Sequence, residues 1–410
     1  MTIKNLWPFL KKNYPQVFEN IDQSQFAGYR VFIDAGSLLF VFRCSCRSAV
    51  IDRTNVLVEP VNEQAVDMMW FRRVLEFMIR MISQGITPVL VYDGPSPLEK
   101  SEVKLERDSI RRETLDKLRE LMSQPVDILA DVLTHDGRDR LTRARKLLSA
   151  STSIPEESMN NMKYFIKVLG IPWIQCNTEA ERLCSILVRE GHGIASFSPD
   201  GDGLGHGCPI LIRKEGDPRP DKDRPISTYN IVQLHKVLSA LSMDQFKLTE
   251  TCIMSGCDYN TNIKNGGRNG KTAIGISRAV KLIQTYGSID NLPPEYNLSC
   301  LRHQACRLLF QEVPSSTLIK EYGPEGLCLS RFNHETHDAL TLYELSDLAG
   351  NLKQVLEKIV EAPRSILHYR LSPVTTSYGF SLMVEEGTMI QNTRPMDDKP
   401  NKQKKKKSRA

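Results

Sequence analysis

Short runs dense in β-branched and aromatic residues recur along the chain at 30–34, 87–92, 171–174, 194–197 and 225–230. Each is too short for a helix and is bounded by turn residues, which predicts buried strands. Between them the apolar spacing changes to that of helices. Leu6, Trp7 and Leu10 predict an amphipathic helix within 1–14, and Met69, Val74, Phe77, Met78 and Met81 predict one over 62–84, ended by Gly85. Ala35-Gly36-Ser37 opens another, which carries Phe40, an aromatic expected in the core. Thr178 is a good N-cap for a helix with Leu183, Ile186 and Leu187 inward, stopping before Gly191. Further helices are expected over 100–122, 231–241, from Asp244 through Cys252, over 278–286 and through most of 287–371. No apolar stripe dominates 123–153, which predicts a mobile, partly helical excursion. Strands alternating with helices predict an α/β fold with a mostly parallel sheet.

Carboxylates stand where these strands end. Asp34 closes the first and Asp93 the second; Glu179 and Glu181 start the helix after the third, and Asp200 and Asp202 occupy the turn after the fourth. Ligand crevices of open α/β sheets lie at those carboxyl ends. Asp258, after the helix from Asp244, is the seventh candidate. Either E-x-E or D-x-D pair alone would read as a cap or a turn, but seven acids in one crevice would repel one another without countercharge. Hard oxygen donors in that number suit Mg²⁺ or Mn²⁺. Two such ions, roughly 4 Å apart, can activate water against a phosphodiester and stabilise the leaving oxygen. Lys100 and Arg107, two turns apart on one helix face after Asp93, are placed to hold the scissile phosphate.

Composition narrows the class. Forty per cent hydrophobic residues suffice for a core, and no run is long enough to span a bilayer, which leads us to expect a soluble, intracellular protein without a membrane partner. Ten cysteines without a C-x-x-C read as reduced core residues. Seven positive charges lie between Lys399 and Arg409; without them the net charge would fall from +5 to −2. Such a tail reads as a nuclear-import signal or a polyanion tether. Gly266, Gly267 and Gly270 make a loop before Ala273-Ile274-Gly275-Ile276-Ser277, and a glycine turn entering a helix at Arg278 offers backbone N–H groups to a phosphate.

These motifs together resemble the flap endonuclease/XPG superfamily of structure-specific 5′ nucleases, over roughly residues 1–312. Met1-Thr2-Ile3-Lys4-Asn5-Leu6 is similar to its M-G-I-x-x-L, and Val31-Phe32-Ile33-Asp34-Ala35 to its first acidic strand. Val91-Tyr92-Asp93-Gly94 is similar to its V-F-D-G, and the seven-residue steps to Lys100 and Arg107 to its gateway spacing. Thr178-Glu179-Ala180-Glu181, Asp200-Gly201-Asp202 and Ser255-Gly256-Cys257-Asp258-Tyr259 are similar to its [SP]-E-A-E, E-D-x-D and S-G-x-D-Y.

The resemblance implies a PIN-like nuclease region over 1–107 and 156–312, a helical arch over 108–155 that passes a 5′ single strand, and a helix-two-turn-helix over about 244–290. A mostly helical extension (313–395) and a disordered basic tail (396–410) would follow. It further implies two Mg²⁺ ions held by the seven acids, with Mn²⁺ able to substitute, and K⁺ at the helix-two-turn-helix. Phe40 takes the place of the aromatic that stacks on a base, and Gly275, Ser277 and Arg278 would grip DNA. The expected activity is 5′ flap endonuclease or 5′–3′ exonuclease action on DNA in replication and repair, in the nucleus or at a viral replication site. An RNA endonuclease, or an inactive nucleic-acid-binding protein of the same fold, is the alternative.

Three departures stand out. Thr2 replaces the usual Gly, Ala273 replaces the first Gly of a G-I-G after a turn lengthened over 260–272, and no Q-x-x-[LIM]-x-x-F-F sliding-clamp motif is found near the C-terminus.

Overall fold

Val31, Phe32 and Ile33 are fully buried, as expected of a strand covered on both faces. They belong to β2 (Arg30–Asp34), which pairs in parallel with β3 (Thr87–Tyr92) on one side and β5 (Ala195–Phe197) on the other. Burying side chains of this size stabilises the fold by roughly 1.5–3 kcal/mol each. β4 (Trp173–Cys176) extends the parallel core beyond β3, and β6 (Ile210–Glu215) extends it beyond β5. Antiparallel strands finish both edges: β7 (Thr228–Gln233) and β1 (Phe18–Asp22) beyond β6, and β8 (Ile319–Gly323) beyond β4. The order among the described residues is β1-β7-β6-β5-β2-β3-β4-β8. The chain winds from β2 through β3 to β4, then returns to β5 beside β2 and on to β6. The crevice between β2 and β5 is therefore the topological switch point.

The computed structural model describes residues 3–123, 135–215, 227–260, 274–296, 298, 301–311 and 313–360. All fall within one compact unit, Met1–Val374; a second, Thr375–Ala410, lies outside the described residues together with the basic tail. Thr2, the loop bearing Gly266, Gly267 and Gly270, and Ala273 also lie outside them, and with them the residues on which the K⁺ expectation turned. Among the described residues no helix is long and apolar enough to cross a membrane.

Several elements differ from the sequence reading. Thr178 is not a cap: Glu179 takes the N-cap position of the helix Ala180–Arg189, and the Ala180 N–H is satisfied by Asp93 Oδ1 at 2.8 Å instead. Residues 231–233 continue β7 rather than beginning a helix, which starts at Leu234 because the strand stays paired with β6 as far as Gln233. The helix expected at 278 begins at Ile276. Phe40 is 44% exposed on the helix Ala35–Arg53, not core. Met69 is half-buried, whereas the adjacent Trp70 and Phe71 fill the core. Of the excursion after the helix Ser101–Ser123, residues 124–134 lie outside the described residues, and the described part is helical, as expected. Its helix His135–Ala150 sends Ala144 into an apolar cluster with Leu118, Leu121, Ile51, Val56 and Leu57, fastening it to the end of the helix Ala35–Arg53.

Beyond the sheet, the N-terminal helix Leu6–Asn13 and the helices Gln245–Ser255, Ile276–Tyr286 and His303–Phe310 share a second apolar core. Glu250 is fully buried at its centre, receiving Arg307 through two hydrogen bonds of 2.6 Å and the Ile289 N–H at 2.8 Å. Arg307→Ala strands that carboxylate in an apolar setting. It is expected to destabilise the protein by about 3–5 kcal/mol, read as a fall in the urea midpoint; an unchanged midpoint would show that the pair contributes nothing.

Candidate active site

Two glycines let the strand ends approach closely enough to gather acids. A Cβ on Gly94 would lie 2.5–2.8 Å from the backbone of residues 176–178, so only glycine allows the end of β3 to lie against the end of β4. The Gly94 N–H donates to the Thr178 carbonyl across that contact. A Cβ on Gly36 would sit 2.7 Å from Asp93 Oδ2 and 3.5 Å from Asp34 Oδ1. The missing side chain leaves room between these two carboxylates.

All seven sequence-predicted acids enter one electrostatic network at the carboxyl ends of β2 to β5. Asp34, Glu179, Asp202 and Asp258 are buried, Glu181 and Asp200 are half-buried, and Asp93 stands at the mouth. Backbone N–H groups aim several of them: Ser37 donates to Asp34 (3.1 Å), Gly203 to Glu181 (2.7 Å) and Ile3 to Asp202 (2.8 Å). Burial raises the Asp34 pKa from 3.8 to about 7, with Asp93 and Asp200 adding repulsion. Burial likewise lifts Asp202 to about 8, helped by Asp258 and Asp200. Glu181 is pushed well above the usual carboxylate range by burial, then by Asp202, Asp200 and Asp34. Asp93 and Asp200 are raised by desolvation in the same way, although Asp93 keeps one side open to solvent.

Lys100 and Arg107 hang over this set. Lys100 Nζ contacts Glu179 and lies 3.5 Å from Asp258 Oδ2, while Arg107 Nη2 lies 2.7 Å from the same oxygen. Burial works to lower the Lys100 pKa, but Glu179 and Asp258 overcome it and hold the ammonium above the usual lysine range. Phe40, Gly275, Ser277 and Arg278 are elsewhere; among the described residues no hydrogen bond or ion pair joins them to the carboxylates. Gly275 caps the helix Ile276–Tyr286 with open space where its Cβ would be.

The donor set suits divalent cations. Every candidate ligand is a carboxylate oxygen, and the upward shifts of Asp34, Asp93, Glu181, Asp200 and Asp202 follow from burying like charges together without a counter-ion. As they stand, no three donors among the described residues close round one point, Glu179 and Asp258 being engaged by the two basic side chains.

Sequence reasoning missed the groups behind Glu179. The Tyr259 hydroxyl donates to its second oxygen and lies 3.3 Å from His206 Nε2; the imidazole in turn is tilted against Phe310. Burial drives the His206 pKa down to about 3, with Arg182 and Arg189 contributing, so the ring is neutral. The only signal was the position of Tyr259 directly after Asp258.

The XPG N-terminal domain model matches residues 1–114 and the XPG I-region model residues 170–258. Flap endonuclease 1 of Debaryomyces hansenii is 30% identical over 294 residues, covering 71% of this chain and 69% of that protein. Flap endonuclease 1 of Pyricularia oryzae is 30% identical over 292 residues, and the chain spans 66% of its length. The solved flap endonuclease-1 from Methanococcus jannaschii superposes with a TM-score of 0.52 at 20% identity, covering 83% of this chain and 96% of that one, a likeness of fold. The chain belongs to the flap endonuclease/XPG superfamily of structure-specific 5′ nucleases, enzymes that hydrolyse DNA phosphodiester bonds.

Proposed function

We propose that the protein is a Mg²⁺-dependent nuclease that cuts 5′ flaps or recessed 5′ ends of DNA during replication and repair, in the nucleus. The observation that carries this is the single network of seven acids with Lys100 and Arg107 over it. Asp34, Asp93, Glu179, Glu181, Asp200, Asp202 and Asp258 would hold two ions, and Mn²⁺ would serve in place of Mg²⁺. Those ions, when bound, supply an activated water and neutralise charge on the leaving oxygen.

The chain's own residues do the rest. Lys100 and Arg107, now paired with Glu179 and Asp258, exchange those partners for the scissile phosphate, which keeps two cations close to the oxygens that gain charge. Tyr259 holds Glu179 by its hydroxyl, so the carboxylate keeps its orientation when Lys100 leaves. Phe40, exposed on the helix that Asp34 caps, stacks on a base, and the N-terminus of the helix Ile276–Tyr286 receives a backbone phosphate of the duplex. The helices Ser101–Ser123 and His135–Ala150 form the arch through which the 5′ strand passes.

The test is an end-labelled 5′ flap incubated with Mg²⁺. The wild type cuts it near the junction and Asp200→Ala leaves it whole; an uncut wild-type reaction would sink the reading.

The raised acids make a second prediction about the metal-free protein. Between about pH 4 and pH 8 the folded state keeps protons on Asp34 and Asp202 that the unfolded chain has released, so stability falls as pH rises through that window. His206 acts in the opposite sense, but only from about pH 3 up to its ordinary value of 6.5. In EDTA the melting temperature should therefore fall between pH 6.5 and 8, and Mg²⁺ should remove most of that fall by favouring the ionised carboxylates. A melting temperature that is level with pH would contradict the crowding of these acids.

A further inference from the structure

A second cleft, of about 350 Å³, lies under the helix Glu156–Val168 at the β3–β4–β8 edge. Its helical side presents Asn160, Lys163, Tyr164 and Lys167 at one-turn spacing, and its floor carries Tyr92, Trp173 and Gln175. Lys167 Nζ sits 4.1 Å from the centre of the Trp173 ring, and Lys163 Nζ 5.0 Å from that of Tyr92. Among the described residues neither ammonium is in an ion pair; Lys163 reaches only Gln175 Oε1, at 3.5 Å. Glu321 is the single carboxylate of the lining. Tyr92 is 5% exposed, and its buried hydroxyl has no hydrogen-bond partner.

Two unpaired cations, aromatic faces and an unused hydroxyl donor make a receptor for a phosphate attached to a flat ring. Its place in the fold says which one. Gln175 donates to the carbonyls of Tyr92 (3.3 Å) and Asp93 (2.6 Å), so the cleft shares a wall with the strand end that bears a candidate metal acid. The helix above it begins at Glu156, directly after the helix His135–Ala150 comes down from the excursion.

We propose that this cleft binds a nucleotide of the single-stranded 5′ arm, Lys163 and Lys167 taking its phosphate and the exposed Tyr164 ring its base. The proposal rests on the nuclease reading for the identity of the arm, but its binding step needs neither metal nor cleavage.

The test uses the full chain in EDTA, titrated with 5′-phosphorylated octathymidylate and, in a separate arm, with thymidine 5′-monophosphate. Trp173 lies in the cleft, so the octamer should quench tryptophan fluorescence saturably, and Trp173→Phe should lose that signal. Lys163→Gln/Lys167→Gln should weaken octamer binding at least tenfold and reduce the salt slope by about 1.4, as loss of two single-strand phosphate contacts does. Tyr92→Phe should weaken binding severalfold while leaving the melting temperature unchanged or higher, since the hydroxyl it removes has no partner to lose. Octamer binding that is unaltered in the double lysine variant, or absent from the wild type, overturns the proposal. A mononucleotide that binds as tightly as the octamer overturns the assignment to the 5′ arm. A protein that binds the octamer through these lysines yet cuts no flap overturns the nuclease reading instead.

Discussion

Asp202→Asn is expected to reduce cleavage of a 5′ flap by about 10³-fold or more, corresponding to several kcal/mol of lost transition-state stabilisation. The amide has the same volume, and its oxygen can still accept the Ile3 N–H that positions Asp202 at 2.8 Å, so the backbone has no reason to move. What disappears is one negative charge at the centre of the network, next to Asp258 and Asp200. The same substitution should raise the melting temperature of the metal-free protein at pH 8, because it relieves repulsion that the wild type bears. Together these outcomes separate a functional acid from a structural one: a variant that is inactive because it is unfolded would melt lower. Retained cleavage would remove Asp202 from the metal-binding set.

Lys100→Ala should slow single-turnover cleavage by about 10²-fold with little change in substrate affinity, the loss typical of one preorganised electrostatic donor. The reason lies in its two present partners. An ammonium already half-buried against Glu179 and Asp258 needs little reorganisation to meet a phosphate entering between them. Arg107 is less enclosed, and among the described residues its ion pair is with Asp258, so Arg107→Ala should cost less. If Lys100→Ala weakened binding and left the rate of the bound complex intact, the lysine would be a docking contact and not part of the reaction.

Asp34 and Asp93 were legible because each stands at the end of an apolar run, and such a run has few ways to sit other than within a parallel sheet. β2 and β3 occur where the sequence puts them, to the residue. The edges were not legible. β1 and β8 alternate too weakly, with only half-buried and exposed residues along them, and they are strands only because a neighbour offers unpaired backbone. The Thr178 cap misled for a related reason: local preference favoured the threonine, but Asp93, eighty-seven residues distant, reaches the Ala180 N–H. His206 and Gln175 carried no signal, since an isolated polar side chain acquires meaning only from what the fold places beside it.

One consequence follows for anyone shortening this protein. The motifs that carry the sequence resemblance all lie before residue 312, which invites trimming there, yet β8 comes later and covers β4 along Trp173, Ile174 and Gln175. A fragment lacking it would bare a row of backbone donors and acceptors flanked by Trp173 and Ile174, a sticky margin that recruits a second copy of itself. Such a fragment would associate in solution while the seven acids stayed in place.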